Sequence, residues 1–217
     1  MNSDFIDRFY RRHLPHVQQD IATYFITARL SNSLPRYVVN RIMSEHELNV
    51  KSLVGHSGIG LNDEMTKRQE AYFIKFNQLL DASSFGDQWL KRQDIAKIVA
   101  DSLHYYDGGI YDLICFTIMP NHVHLVVDHN LSTTNTTLEK ILQSIKKYTA
   151  RKANSVLDRK GISFWQSESY DHIIRTDQEF EHIVRYVIYN PVSANLCKEW
   201  KEWRWTYLKK EFISYFT

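Results

Sequence analysis

The stretch Tyr111–Asp128, YDLICFTIMPNHVHLVVD, decides how the chain folds. β-Branched and aromatic residues fill Tyr111–Met119 and His122–Asp128, and Pro120-Asn121 between them is a strong turn signal. Two strands in quick succession are predicted. On a strand, residues i and i+2 project from the same face. His122 and His124 therefore share one face, with Val123 on the other. Two imidazoles so placed can converge on one divalent ion, although imidazole nitrogen alone does not choose the metal. From the spacing alone the pair reads equally as two ordinary surface or half-buried histidines. The turn in front places them near a strand end, where sites are common.

Working outward, Ala22–Leu30 (ATYFITARL) reads as a strand and Arg36–His46 as a helix following Pro35. Glu47 to about Asn62, with GHSGIG at its centre, reads as a loop; the Gly-Lys-Ser/Thr of a phosphate loop is missing. Glu64–Asp81 and Asp94–Tyr106 carry apolar residues at helical spacing. A helix is expected over Leu138–Leu157, a strand within Phe164–Arg175, and a helix over Asp177–Tyr189 that ends at Asn190-Pro191. The aromatic, basic tail is expected to pack as a C-terminal cover over 198–217. This order predicts an α+β fold, a sandwich with an antiparallel sheet backed by helices. One domain over 1–217 is expected, with a helical insertion over 47–85.

Composition narrows the class. The chain has 217 residues, 43% hydrophobic and 24% charged, enough to build one sizeable core. Aromatic residues at 13% argue against disorder. No apolar run approaches the roughly 20 residues of a membrane span, so no membrane partner is expected. The opening MNSDFIDRFYRR is not expected to act as a signal peptide. Cys115 and Cys197 cannot make a disulfide framework, which points to a reducing cytoplasm.

Net charge is only +2, but its distribution is uneven. Lys140, Lys146, Lys147, Arg151, Lys152, Arg159 and Lys160 face only Glu139 and Asp158 in that segment, a local net of +5. Such a face suits a phosphate backbone, and equally a solvated helix flank. Tyr148 lies within it, three residues after Ile145 and seven after Ile141, and is expected to face the sheet. That position fits a core aromatic or a nucleophile. Arg11 and Arg12, with Arg8 and Tyr10, form a second small basic arm. Trp165, Trp200, Trp203 and Trp205 read as core and lid.

MPNHVHLVV, followed by QSIKKYTARKAN, FWQSESYDHIIR and RYVIYNPVSANL, resembles the single-tyrosine HUH transposases, and most of all the REP-associated tyrosine transposases. RRHLPHVQQDIATYFITARL matches the same group, so the resemblance covers nearly the whole chain except Glu47–Gln69. It implies a ferredoxin-like sandwich and His122 and His124 as ligands of a divalent ion, Mg or Mn. It implies Tyr148 as a nucleophile on single-stranded or hairpin DNA, forming a 5′-phosphotyrosine link. Lys146, Lys147, Arg151, Arg11 and Arg12 are the expected DNA contacts.

The family commonly places a third ligand, Gln or Asn, one turn after the tyrosine. Here that position is Lys152, a cation that can instead stabilise a phenolate. Asn154, Gln166, Glu168 and Asp128 are alternative donors, and Tyr170 is the second choice of nucleophile. A domesticated DNA-binding protein without cleavage and a metal-dependent nuclease using water are the alternative functions. Both monomer and homodimer fit the sequence.

Overall fold

The computed structural model describes residues 8–11, 15–18, 21–52, 61–82 and 85–216. The chain divides into two compact units, residues 1–31 with 88–217, and residues 32–87.

The larger unit opens with a two-stranded antiparallel hairpin, β1 (Arg8–Arg11) and β2 (Pro15–Gln18). Its centre is a five-stranded antiparallel sheet of β3 (Ile21–Arg29), β4 (Tyr111–Ile118), β5 (His122–Asn130), β6 (Tyr170–Ile174) and β7 (Thr206–Leu208). The spatial order is β6-β3-β5-β4-β7. Without β7 this is the order of a ferredoxin-like sandwich, as expected. The tail does more than cover the core: Thr206–Leu208 extends the sheet beside β4.

Strand alternation gives the sheet two different faces. On the first, Tyr24, Ile26, Val123, Leu125, Val127, Phe116 and Ile118 form the core. The register shift between Leu113 and Cys115 is a bulge that keeps Tyr111 and Leu113 on that side too. The helices Gln93–Tyr105 and Leu138–Val156 cover this face, the former through Ile95, Val99 and Leu103 and the latter through Leu138, Ile141 and Ile145. The second face presents Phe25, Thr27, His122 and His124, and the helix Asp177–Ser193 packs there through Tyr186.

In the smaller unit, Arg36–Lys51 and Leu61–Asp81 are helices. Ile42, Tyr72, Phe76 and Leu80 are buried, and the His46 and Tyr72 rings lie 4.3 Å apart. Gly86 (φ +75°) is required, since a Cβ there would lie 1.9 Å from the Asn32 carbonyl oxygen. In chain order the helices are α1 (Arg36–Lys51), α2 (Leu61–Asp81), α3 (Gln93–Tyr105), the one-turn α4 (Leu131–Thr134), α5 (Leu138–Val156) and α6 (Asp177–Ser193).

Some expectations change. Residues 47–51, read as loop, continue α1, and GHSGIG lies outside the described residues. The strand expected within Phe164–Arg175 is present as Tyr170–Ile174, with Trp165 joined to Leu30 by a single bridge. The α6 helix runs past Pro191 to Ser193. A proline in the last turn forfeits one intrahelical bond only, and Ala194 N–H still donates to the Asn190 carbonyl at 2.9 Å.

Candidate functional site

Both histidines lie on β5 and are fully buried, His122 opposite Arg29 and His124 opposite Thr27 of β3. Their Nε2 atoms stand 3.1 Å apart. The outer nitrogens have separate partners: His122 Nδ1 meets Asn121 Oδ1 at 2.7 Å, and His124 Nδ1 meets Thr27 Oγ1 at 2.9 Å. Asn121 Oδ1 can only accept, so His122 carries its proton on Nδ1 and turns the Nε2 lone pair inward. With Thr27 accepting, His124 takes the same tautomer and two lone pairs face each other; with Thr27 donating, His124 Nε2–H donates to His122 Nε2 instead. The first arrangement suits a cation between them. Two ligands each about 2.1 Å from one ion at right angles would be about 3.0 Å apart, close to the separation present. The donor set therefore fits a divalent ion, and Asn121 and Thr27 fix the ring orientations as outer partners of metal-bound histidines do.

A third group reaches the same point. The α6 side chain Tyr186 places its hydroxyl 3.2 Å from His124 Nε2, with ring centroids 5.2 Å apart. The Tyr186 ring also packs edge-on against Phe25 at 6.1 Å. The start of α6 is pinned to β6. Thr176 caps the helix by accepting from Glu179 N–H, while the Glu179 carboxylate accepts from Arg175 N–H and meets His172 Nε2 at 2.6 Å. Burial works to raise the Glu179 carboxyl, but the Arg175 and His172 bonds outweigh it and hold the group below its ordinary range. One turn beyond Tyr186 on α6 lies buried Asn190.

Tyr148 lies elsewhere. It is 45% exposed, and α5 packs on the sheet face opposite the histidines. The buried stripe of α5 runs Leu138, Ile141, Ile145, Thr149, Ala153. Steps of four carry that stripe round the helix, leaving position 148 about 80° from its middle. The inward place belongs to Thr149, whose hydroxyl accepts from Trp165 Nε1 at 2.9 Å. Arg151 and Lys152 instead approach the outer Tyr148 ring, 6.0 and 5.9 Å from its centroid.

The remaining candidates scatter. Lys152 and Asn154 are on α5, away from the histidine face, and Asn154 Nδ2 donates to the Ile162 carbonyl. Asp128 shares the histidine face but lies four residues beyond His124, about 13 Å along the strand. It accepts a hydrogen bond from Thr23 and borders a concavity of about 800 Å³ at the far end of the sheet. Tyr170 is buried on β6 opposite Thr27. Gln166 N–H donates to the Arg29 carbonyl at 2.8 Å, so its backbone is used in holding β3. Glu168 acts electrostatically on Lys146.

Among the expected DNA contacts, Lys147 and Arg151 are exposed. Lys146 is not a surface cation: its Nζ donates to the carbonyls of Gln166 at 2.9 Å and Ser167 at 3.3 Å. Burial first, then the nearby charge of Arg29, pulls its ammonium down to about 7 against the opposing pull of Glu168. The Arg11 side chain and Arg12 lie outside the described residues. Sequence reasoning did not single out Tyr186, which the structure brings to His124, or Asn190, one turn further on. The signal was present, since RYVIYNPV carries a tyrosine with an asparagine four residues later on a predicted helix.

Comparison with known proteins bears on this geometry. The family model described as "Transposase IS200 like" matches residues 86–190, which include both histidines, Tyr186 and Asn190. Among solved structures, a REP-associated tyrosine transposase bound to a REP hairpin is similar at TM-score 0.48 and 14% identity, covering 93% of this chain and 82% of that one. No curated protein sequence matches the chain. Among the described residues no helix is long and apolar enough to cross a membrane.

Proposed function

We propose, from a chain whose residues 86–190 match the IS200-like transposase family model, that it cleaves and rejoins single-stranded DNA with Tyr186 as nucleophile. One observation carries this reading: the Tyr186 hydroxyl and the two inward histidine nitrogens meet at one point, 3.2 and 3.1 Å from His124 Nε2. A divalent ion, Mg or Mn, held by His122 and His124 with Asn190 as third donor, would polarise the scissile phosphate and stabilise charge on its oxygens.

The chain's own residues supply the rest. Tyr186 Oη attacks phosphorus and forms a P–O bond as the P–O3′ bond breaks. The phenol proton passes to the departing 3′ oxygen, leaving a free 3′-OH and a 5′-phosphotyrosine. The phosphodiester energy is retained, so the reverse attack by a 3′-OH rejoins strands. Phe25 and the cap at Thr176 hold the nucleophile in position. The hairpin character of the DNA is the expectation carried by the sequence resemblance, and the exposed Lys147 and Arg151 offer backbone contacts.

The test is incubation with hairpin oligonucleotides bearing single-stranded flanks, in Mn²⁺ or Mg²⁺, followed by denaturing electrophoresis. A denaturant-stable adduct is expected from the wild type and from Tyr148→Phe, and none from Tyr186→Phe. An adduct persisting in Tyr186→Phe returns the role to Tyr148 or Tyr170. Cutting without adduct identifies water as the nucleophile, and binding without cutting identifies a domesticated binder.

A further inference from the structure

Tyr148 stands in the middle of α5 with its ring exposed, while Ile145 and Thr149 on either side of it turn to the core. A single exposed ring is ordinary on a protein surface. This one is set among cations: Arg151 and Lys152 approach its centroid at 6.0 and 5.9 Å, and Lys147 precedes it in the chain. All three are exposed. Among the described residues no carboxylate pairs with any of them. The other long helices differ, since α1, α2, α3 and α6 each carry an ion pair at i,i+4 spacing, as between Lys97 and Asp101 or Arg185 and Glu181.

The α5 sequence contains one acidic residue, Glu139 in the first turn, which accepts from Gln143 at 2.8 Å. Lys147 and Arg151 stand four residues apart, a spacing at which like charges destabilise a helix. No basic residue lies in the last turn, where the helix dipole would favour one, so the dipole does not account for these cations. A surface that carries this cost is complementary to a polyanion. The ring narrows the choice of polyanion. Phosphates make no use of it, whereas every nucleobase has a π-face that stacks on an aromatic side chain. Paired bases are already stacked within their duplex, so the matching partner is a strand with unpaired bases. One turn earlier on α5, Ser144 Oγ lies 3.0 Å from the Tyr106 hydroxyl, and the exposed Tyr105 ring packs edge-on against Tyr106 at 5.1 Å. Further aromatic surface thus continues beside the platform.

We propose that Tyr148 is a stacking platform for an unpaired base of single-stranded DNA, with Lys147, Arg151 and Lys152 holding the phosphates that flank this base. This rests on the reading above that the chain binds single-stranded DNA. Because α5 covers the sheet face away from the histidines, the base held here lies outside the reacting segment, and Tyr148 serves binding rather than the chemical step.

The test uses the full chain carrying Tyr186→Phe, so that DNA is bound and not cut. The probe is a fluorescein-labelled hairpin oligonucleotide with single-stranded flanks, titrated at several salt concentrations beside a blunt duplex. Adding Tyr148→Ala is expected to weaken binding of the flanked hairpin by about five- to a hundredfold. The salt slope should not change, because no phosphate contact is removed. Tyr148→Phe keeps the ring and should bind within about twofold of its parent. Tyr148→Leu keeps apolar bulk without a π-face, so it should lose affinity as the alanine variant does, and it covers the case where that variant folds poorly. On the blunt duplex all of these proteins should bind alike. Unchanged affinity for the flanked hairpin in Tyr148→Ala and Tyr148→Leu overturns the proposal. So does an equal loss on the blunt duplex or a smaller salt slope, because Tyr148 would then only hold Arg151 and Lys152 in place. With Tyr186 intact, an absent adduct alongside Tyr148-dependent binding sinks strand cleavage and leaves the platform standing; an adduct alongside Tyr148-independent binding does the reverse.

Discussion

Thr27→Val isolates the geometry on which the metal reading depends. Valine fills nearly the same volume, so β3 and its packing are kept, but the hydroxyl 2.9 Å from His124 Nδ1 is gone. Both residues are buried, at 2% and 0% exposure, so water does not replace the lost partner. A buried donor deprived of its acceptor costs about 1–3 kcal/mol. In metal sites, removing the partner that orients a histidine typically costs about 10–100-fold in metal affinity, which corresponds to roughly 1.4–2.8 kcal/mol. The two ranges coincide because the bond does one job: it fixes the tautomer that turns the Nε2 lone pair inward. Mn²⁺ affinity, followed through the spectroscopic signal of the free ion, should therefore fall by one to two orders of magnitude. Thermal unfolding in chelator gives the metal-free stability change alone. An Mn²⁺ affinity within twofold of wild type, together with a lowered melting temperature, would refute the argument and reduce Thr27 to a packing role.

Two further outcomes follow from other parts of the molecule. Glu179 titrates lower in the folded chain than in the unfolded one, so its stabilisation is complete above the ordinary value of 4.5 and is lost as pH falls through the depressed folded value. Glu179→Gln should lower urea-unfolding stability by about 1–2 kcal/mol at pH 7, with the difference narrowing as the pH falls through the depressed folded value; a difference that does not change as the solution is acidified would contradict the assignment. Reversing charge at Lys147 and Arg151 should weaken DNA binding and reduce the salt slope by about 0.7 for each phosphate contact removed. Because α5 covers the face away from the histidines, adduct yield at saturating DNA should not change; a lower yield there would place α5 in the chemistry.

What the sequence made legible, and what it hid, follows from two different kinds of information. The β4–β5 hairpin and the shared face of His122 and His124 depend on a period of two residues, which a short stretch states without reference to the rest of the chain. Tyr148 was expected to face the sheet, and it does not, because phase on a helix is cumulative. Measured from Ile141 it looks inward, yet the stripe that reaches Thr149 and Ala153 has turned past it. Its cationic neighbours then gave an outward-facing ring the setting of an active site. The choice of face is a matter of connectivity. α3 lies between β3 and β4, and α5 between β5 and β6, and each pair of strands runs parallel with another strand between them. Right-handed crossovers in opposite directions across the sheet, from strands of opposite sense, put both helices on the same side. That side is the one with Val123 and Leu125, so no residue of α5 can share a face with His122 and His124. A helix after β6 is under no such constraint and can cross to the other face. Once the sheet order is known, KKYTARKAN is placed on the other face, and Tyr186 of RYVIYNPV is the tyrosine whose hydroxyl reaches His124 Nε2.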